Sequence, residues 1–117
     1  MSDNVVLDKT YKFSVKIILL CKKLNKDSKE YVLSKQLLRC GTSIGANAEE
    51  AIGGISKKDF IAKLSISYKE ARETHYWLRL FRDTDIITKE EAFLLLKDCD
   101  EILRIIFSII KSSRKNM

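Results

Sequence analysis

Proline is absent from the 117-residue chain, and glycine occurs only four times. No segment alternates valine or threonine with polar residues, which is the usual pattern of a half-buried strand. Because proline and glycine interrupt helices most strongly, their scarcity favours an all-α fold. The hydrophobic content of 45% suffices for one core, so we expect a single domain over residues 1–117.

Long apolar runs are also missing. The run from Ile17 to Cys21, which no other run exceeds, is far shorter than the ~20 residues that a helix needs to cross a bilayer. The N-terminus has no signal-peptide pattern, so we expect a cytoplasmic protein with no membrane partner. The three cysteines, at positions 21, 40 and 99, are widely spaced, which fits neither a disulfide framework nor a metal motif. We expect buried free thiols.

Histidine occurs once, at His75, among apolar residues of a predicted helix. Acid-base catalysis needs a positioned titratable group, and the sequence has no nucleophile elbow, phosphate-binding glycine loop or Cys/His zinc spacing. A core or interface histidine is the preferred interpretation of His75. We predict no catalytic residues, no metal, no cofactor and no enzymatic activity.

Hydrophobic periodicity divides the chain into four helices joined by short turns. Ser56 is a candidate N-cap, and Thr88 opens a capping box with Glu91. Long helices with short turns predict an antiparallel up-down-up-down four-helix bundle. The predicted helices span residues 8–24, 30–52, 56–82 and 88–113.

All four glycines lie in or directly after the second predicted helix. Gly41 and Gly45 flank its apolar seam, and each costs roughly 1 kcal/mol relative to alanine inside a helix. That cost predicts the close approach of another helix. Gly53 and Gly54 follow the helix, where glycine suits a left-handed conformation. The seam consists of Leu33, Leu37, Cys40, Ile44, Ala48 and Ala51.

Two helices carry more apolar surface than one bundle buries. The first helix has a broad apolar arc that leaves only a narrow lysine strip, and the third has a second apolar face. Surface of this kind predicts self-association into a homo-oligomer. The candidate interface residues are Ile66, Glu70, Glu73, Trp77 and Leu80.

The net charge of +6 favours a polyanionic partner, RNA above all. Lysines act as point charges, and no aromatic residues are interleaved with them, so we predict phosphate contact without sequence choice. A solvated helix face is the alternative interpretation. The candidate nucleic-acid-binding residues are Lys9, Lys12, Lys16, Lys23, Lys111, Arg114 and Lys115.

Glu70 and Glu73 could form half of a carboxylate metal site, but such sites in bundles use Glu-x-x-His on paired helices. Here the residue three after Glu73 is Tyr76. Because partly buried charges require partners, we predict instead that Arg39 or lysines of a neighbouring helix or subunit pair with both carboxylates. Ser43 and Asn47 are expected to complete this hydrogen-bond network.

Two segments carry a resemblance to a known family: LLRCGTSIGANAEEA and DFIAKLSISYKEARETHYWLRL. They resemble the bacterial four-helix bundle family named after proteins encoded in intervening sequences of 23S ribosomal RNA genes. The group that includes the accessory variability proteins of diversity-generating retroelements is similar too. Many members have isoleucine and then Ala-Glu-Gly after the asparagine, whereas Asn47 precedes Ala-Glu-Glu-Ala here. The residues that match the motif of the second helix include Gln36, Arg39, Ser43, Asn47 and Glu50, and those of the third include Glu70, Glu73, Tyr76 and Trp77.

The resemblance implies a homopentameric ring of bundles with a basic surface or channel. In the retroelement members, the ring is a cofactor for a reverse transcriptase and its template RNA. We therefore expect a non-enzymatic scaffold that binds RNA or an RNA-protein complex electrostatically. The alternative is an adaptor that docks a partner enzyme, such as a reverse transcriptase, without contacting nucleic acid.

Overall fold

Four long α-helices account for nearly all of the described chain. The structure, a computed structural model, describes the backbone of residues 2–116 and the side chains of residues 5–116. No strand occurs between residues 2 and 116, so the prediction of an all-α fold is confirmed. In chain order the helices are α1 (Ser2–Asp27), α2 (Tyr31–Ile52), α3 (Lys57–Asp83) and α4 (Lys89–Lys115).

The helices lie side by side in an elongated body of 47 × 21 × 19 Å. α1 packs on α2, α2 on α3 and α3 on α4, while the contact between α1 and α4 is the smallest of the four. The predicted seam of α2 is almost wholly inside the core, where Leu37, Cys40 and Ile44 have no exposed surface. Each helix thus turns one apolar row towards a shared centre.

The starts of α3 and α4 are fixed by side-chain caps, as predicted. The Ser56 hydroxyl accepts a hydrogen bond from the Asp59 amide at 3.0 Å. At α4, the Glu91 amide donates to the Thr88 hydroxyl at 3.0 Å, and the Thr88 amide donates to the Glu91 carboxylate at 2.9 Å. These bonds satisfy amides that have no partner within the helix.

The start of α1 differs from the prediction. The helix begins at Ser2 rather than near Asp8, whose carboxylate instead pairs with Lys12 at 3.1 Å. Val6 is buried, and its carbonyl accepts a hydrogen bond from the Thr10 hydroxyl at 2.7 Å. The helix is therefore longer at its N-terminus than predicted. The burial of Val6 in this added segment stabilises it more than Asp8 would stabilise a helix start as an N-cap residue. The other helix ends lie within three residues of their predicted positions.

Gly41 and Gly45 let α1 approach α2 closely, as their positions predicted. A Cβ atom at Gly41 would lie only 2.9 Å from Cγ2 of Ile17, and one at Gly45 would lie 3.3 Å from the Thr10 carbonyl oxygen. Neither position has room for a larger side chain without movement of α1. The close packing of α1 on α2 offsets the low helix propensity of the two glycines.

Gly53 and Gly54 follow α2 as predicted, but neither adopts a left-handed conformation. Gly54 is required for space, because an added Cβ would lie 2.8 Å from an Asp59 carboxylate oxygen and 3.0 Å from the Ala51 carbonyl. The left-handed residues lie in the other two turns, at Lys29 and Asp85.

Among the described residues, no helix combines the length and the apolar character that a membrane span requires.

Candidate functional site

The lysine strip of α1 faces a row of carboxylates, most of them on α4. The spacing of Glu91, Asp98 and Glu101 places these three on the side of α4 that meets α1. The ion-pair distances are 3.2 Å for Lys9 with Glu101, 2.7 Å for Lys16 with Asp98, 2.8 Å for Lys23 with Glu91 and 3.1 Å for Lys12 with Asp8. All four candidate lysines of the strip are therefore paired within the chain.

The pairing changes the electrostatics of the strip. The hydrogen bond to Glu91 raises the pKa of Lys23, and the same bond lowers the pKa of Glu91. Both groups are therefore held in their charged forms. A phosphate that approached the strip would meet cations whose charge is already balanced by neighbouring carboxylates.

The three C-terminal candidates have a different environment. Lys111, Arg114 and Lys115 are exposed near the end of α4. None of them forms an ion pair with a carboxylate among the side chains of residues 5–116. Arg114 and Lys115 also lie in the last turn, where positive charge interacts favourably with the helix dipole.

A polar cluster joins α2 to α3 at the matched family positions. Arg39 Nη1 donates to Glu70 at 3.2 Å, and Arg39 Nη2 donates to Glu73. The indole of Trp77 donates to the same Glu73 carboxylate at 3.1 Å. The expected partner of both carboxylates is thus Arg39 of the same chain. One guanidinium that bridges two residues a turn apart fixes the register of the two helices.

Ser43 and Asn47 do not join this cluster, contrary to expectation. The Asn47 side-chain amide donates to the Ser43 carbonyl at 2.9 Å within α2. This bond between residues four apart holds the Asn47 side chain against its own helix. Of the remaining family positions, Glu50 pairs with Lys63 at 3.1 Å, and Gln36 is exposed.

The second apolar face of α3 is only partly exposed. Ile66 exposes 41% of its surface, but Trp77 packs against the core and lies edge-on to Phe81, with ring centroids 6.3 Å apart. Leu80, like Glu70 and Glu73, is half-buried. Because the core of the chain itself covers part of Trp77, less of this face is left for a partner than the sequence suggested.

α1 exposes a longer apolar row than α3. Tyr11, Val15 and Ile18 lie on the outer side of the helix, opposite the buried residues, and Leu19 lies between this row and the lysine strip. Tyr11 exposes 67% of its surface and Leu19 exposes 59%. The core therefore buries only about half of the broad apolar arc predicted for α1.

Apolar surface also continues into a groove between α1 and α4. The groove has a volume of about 360 Å³, and the ion pair of Lys23 with Glu91 lies at its rim. Its lining residues are Lys16, Leu19, Leu20, Lys23, Glu91, Leu94 and Leu95. The small contact between the two helices leaves this space open.

The outer side of α4 combines cations with exposed aromatic rings, which the sequence analysis missed. Phe93, Lys97, Arg104 and Phe107 are all exposed and follow spacings of four, seven and three residues. Such spacings place them on one helix face. The spacing is present in the sequence, but Lys97 and Arg104 were not among the predicted nucleic-acid-binding residues.

The groups considered for catalysis are engaged or buried. His75 Nε2 lies 3.0 Å from an Asp100 carboxylate oxygen. Burial raises the pKa of Cys21 to about 11 and that of Cys99 to about 12, and it also raises the pKa of Cys40. Thiols of this kind stay protonated and are poor nucleophiles. In the described part of the chain, no three His, Cys, Asp or Glu side chains converge as metal ligands.

Comparisons with known proteins agree with this arrangement of helices. The family model described as "23S rRNA-intervening sequence protein" matches residues 2–108. The chain is also similar to a protein of unknown function from Bacteroides thetaiotaomicron, described as a member of the S23 ribosomal protein family and solved at 1.70 Å. The two share 51% identity over 95% of this chain and 99% of that chain, with a TM-score of 0.93. No curated protein matches the chain.

Proposed function

The chain belongs to the 23S rRNA-intervening sequence protein family, and from this membership and its geometry we propose a non-enzymatic, homo-oligomeric scaffold that binds RNA or an RNA-protein complex electrostatically. The observation that carries the proposal is the positive charge near the end of α4, which forms no ion pair with the carboxylates described between residues 5 and 116. Lys111, Arg114 and Lys115 are exposed there, in a chain whose net charge is +6. Cations without carboxylate partners are free to displace the counterions of a phosphate backbone.

The scaffold is an antiparallel up-down-up-down bundle. The order of the residues across the helix contacts supports this arrangement, because residue numbers rise along one helix as they fall along its neighbour. On α1 and α4 the pairs are Lys9 with Glu101, Lys16 with Asp98 and Lys23 with Glu91. On α2 and α3 they are Glu50 with Lys63, and Arg39 with Glu70 and Glu73.

Several copies of the bundle associate through their exposed apolar surface. The outer row of α1, with Tyr11, Val15 and Ile18, and the exposed Ile66 on α3 supply surface that one chain leaves in contact with water. Five copies in a ring is the assembly that the family resemblance implies. A ring repeats the C-terminal cations around its axis, which strengthens the field that attracts a polyanion.

A second candidate is an adaptor that docks a partner enzyme, for example a reverse transcriptase, without contacting nucleic acid. Two observations favour it: the four lysines of the strip on α1 are paired, and the groove between α1 and α4 is lined mainly by leucines. In this proposal the apolar groove and its mixed-charge rim contact protein rather than phosphate.

RNA binding across a salt series separates the two candidates. For the scaffold, log affinity for unstructured RNA falls steeply as log salt concentration rises. Replacement of Lys111, Arg114 and Lys115 by glutamine lowers the affinity and reduces the slope by about 3. The matched control removes three exposed lysines elsewhere, at Lys22, Lys26 and Lys35, and keeps most of the slope.

Absence of RNA binding by the wild-type protein at low salt would leave the adaptor as the better proposal. Light scattering on the same sample tests the assembly. A mass of several chains supports the ring, whereas a monomer contradicts it.

A further inference from the structure

The outer face of α4, defined by Phe93, Lys97, Arg104 and Phe107, has the composition of a site for a flexible polyanion. Phe93 exposes 66% of its surface and Phe107 exposes 54%. More than half of each phenylalanine remains in contact with water, so the fold of this chain uses only part of the apolar surface of each ring. Two of them on one helix face, separated by two cations, form a surface suited to a partner.

The ring of Phe107 is held in place by the neighbouring helix. It lies against Tyr68 of α3, with ring centroids 6.0 Å apart and ring planes inclined at 43°. This contact supports one side of the ring while leaving more than half of its surface exposed. At ~1.5 Å per residue, the two phenylalanines lie about 21 Å apart along the helix axis.

The charge next to Phe93 is mainly positive. A groove of about 530 Å³ runs beside the ring. The groove has one carboxylate, Asp100, which lies 3.0 Å from Nε2 of His75, and four cations, of which Arg82 is paired with Asp83 at 2.7 Å. The lining residues are Arg82, Lys89, Phe93, Leu96, Lys97, Asp100 and Arg104.

Lys97 and Arg104 supply the unbalanced charge of the face. Neither forms an ion pair with a carboxylate among the side chains of residues 5–116. Both therefore differ from Lys9, Lys16 and Lys23 of α1, which are paired with Glu101, Asp98 and Glu91 on the opposite flank of α4. The outer face meets the two needs of a single-strand site, free cations and exposed rings.

We propose that the outer face of α4 binds single-stranded RNA. Bases stack on Phe93 and Phe107, while Lys97 and Arg104 contact the phosphates between them. A single strand is favoured over a duplex because paired bases are already stacked on each other and leave no free ring face. This inference rests on the proposed function of RNA binding, and it names the class of RNA and the surface that holds it.

The test uses the intact protein and fluorescence anisotropy. The probe is a labelled oligouridine of about 12 nucleotides, within the size range of single-strand sites, and an RNA duplex of the same length is the comparison. The wild-type protein binds the single strand more tightly. The double variant Phe93→Ala/Phe107→Ala loses about tenfold or more of the single-strand affinity but little of the duplex affinity. The control Tyr31→Ala removes an exposed ring from α2 and leaves both affinities unchanged.

A second pair of variants tests the cations. Lys97→Gln/Arg104→Gln lowers the salt slope for the oligouridine by about 2, since each lost phosphate contact removes about 1. The control Lys22→Gln/Lys26→Gln removes the same charge from α1 and leaves the slope close to that of the wild type. Circular dichroism verifies that each variant remains helical.

Three outcomes would overturn the inference. If the wild-type protein binds no RNA, the proposed function fails and this inference fails with it. If the wild type binds RNA and the C-terminal lysine and arginine variants weaken it, but the Phe93 and Phe107 variant does not, only this inference fails. If the phenylalanine variant instead lowers the oligomer mass in light scattering, the face is a contact between subunits.

Discussion

α1 meets its two neighbours in different ways. Towards α2, its Ile17 and Thr10 lie against Gly41 and Gly45, where an added Cβ atom would lie 2.9 Å and 3.3 Å from the nearest atoms of α1. Towards α4, long lysine side chains reach across to carboxylates above an open groove of about 360 Å³. The contact of α1 with α2 is close-packed, so the stability of the fold is sensitive to the volume of the side chains there. The contact of α1 with α4 consists largely of exposed ion pairs, which determine the charge of the surface and contribute little to stability.

The largest expected effect is on the close-packed side. Gly41→Leu places a side chain into the space occupied by Ile17 and is expected to lower the free energy of unfolding by about 3 kcal/mol. Chemical denaturation monitored by circular dichroism measures the change. The control Ala46→Leu adds similar volume at an exposed position of the same helix and shifts stability by no more than about 0.5 kcal/mol. Equal stability of the two variants would mean that α1 and α2 are not closely packed.

A smaller effect is expected from breaking the charge balance between α1 and α4. Asp98→Asn/Glu101→Gln leaves Lys16 and Lys9 without their partners. RNA affinity is then expected to rise several-fold, and the salt slope to steepen by up to about 2, because two more cations can contact phosphate. Filter binding across a salt series measures both quantities.

The matched control for this variant is Glu30→Gln/Glu49→Gln, which raises the net charge equally at positions away from the strip. An equal gain in affinity for both variants would show that total charge, rather than pairing, governs binding. The distinction between the paired strip and the unpaired end of α4 would then be lost.

The smallest effect is expected on the pH dependence of stability, through the ion pair between Lys23 of α1 and Glu91 of α4. The pKa of Glu91 is lowered in the folded chain, first by the hydrogen bond from Lys23. A lowered pKa means that the carboxylate stabilises the fold above the usual glutamate pKa of ~4.3 and that this contribution is lost as pH falls through the lowered value. Glu91→Gln is therefore expected to flatten the fall in melting temperature below about pH 5. A melting profile as steep as that of the wild type would indicate that this pair adds nothing to stability.

Much of the fold was readable from local patterns. Ser56 and the pair Thr88 and Glu91 act through bonds to residues three positions away, so a sequence motif predicts them directly. The same holds for the buried periodicity of α2. The start of α1 was missed because the burial of Val6, a tertiary effect, overrides the signal from Asp8.

The candidate sites were harder to predict. A cationic partner for Glu70 and Glu73 was anticipated, since partly buried carboxylates need one, and of the candidates, Arg39 or a lysine, the structure shows Arg39. The pairing of Lys9, Lys16 and Lys23 was not anticipated, because it depends on residues about 70 to 90 positions away along the chain and on the register of two helices.

Local chemistry therefore accounts for the number of helices, their approximate ends, their buried rows and the total charge, since each depends on residues within one or two turns. The packing of the helices settles which cations are balanced and which apolar side chains stay exposed. Lys16 and Lys97 look alike in the chain, but one lies opposite Asp98 while the other faces outward on α4. The physical reason is that an ion pair requires two groups within a few ångströms, and only the packing of distant helices sets that distance.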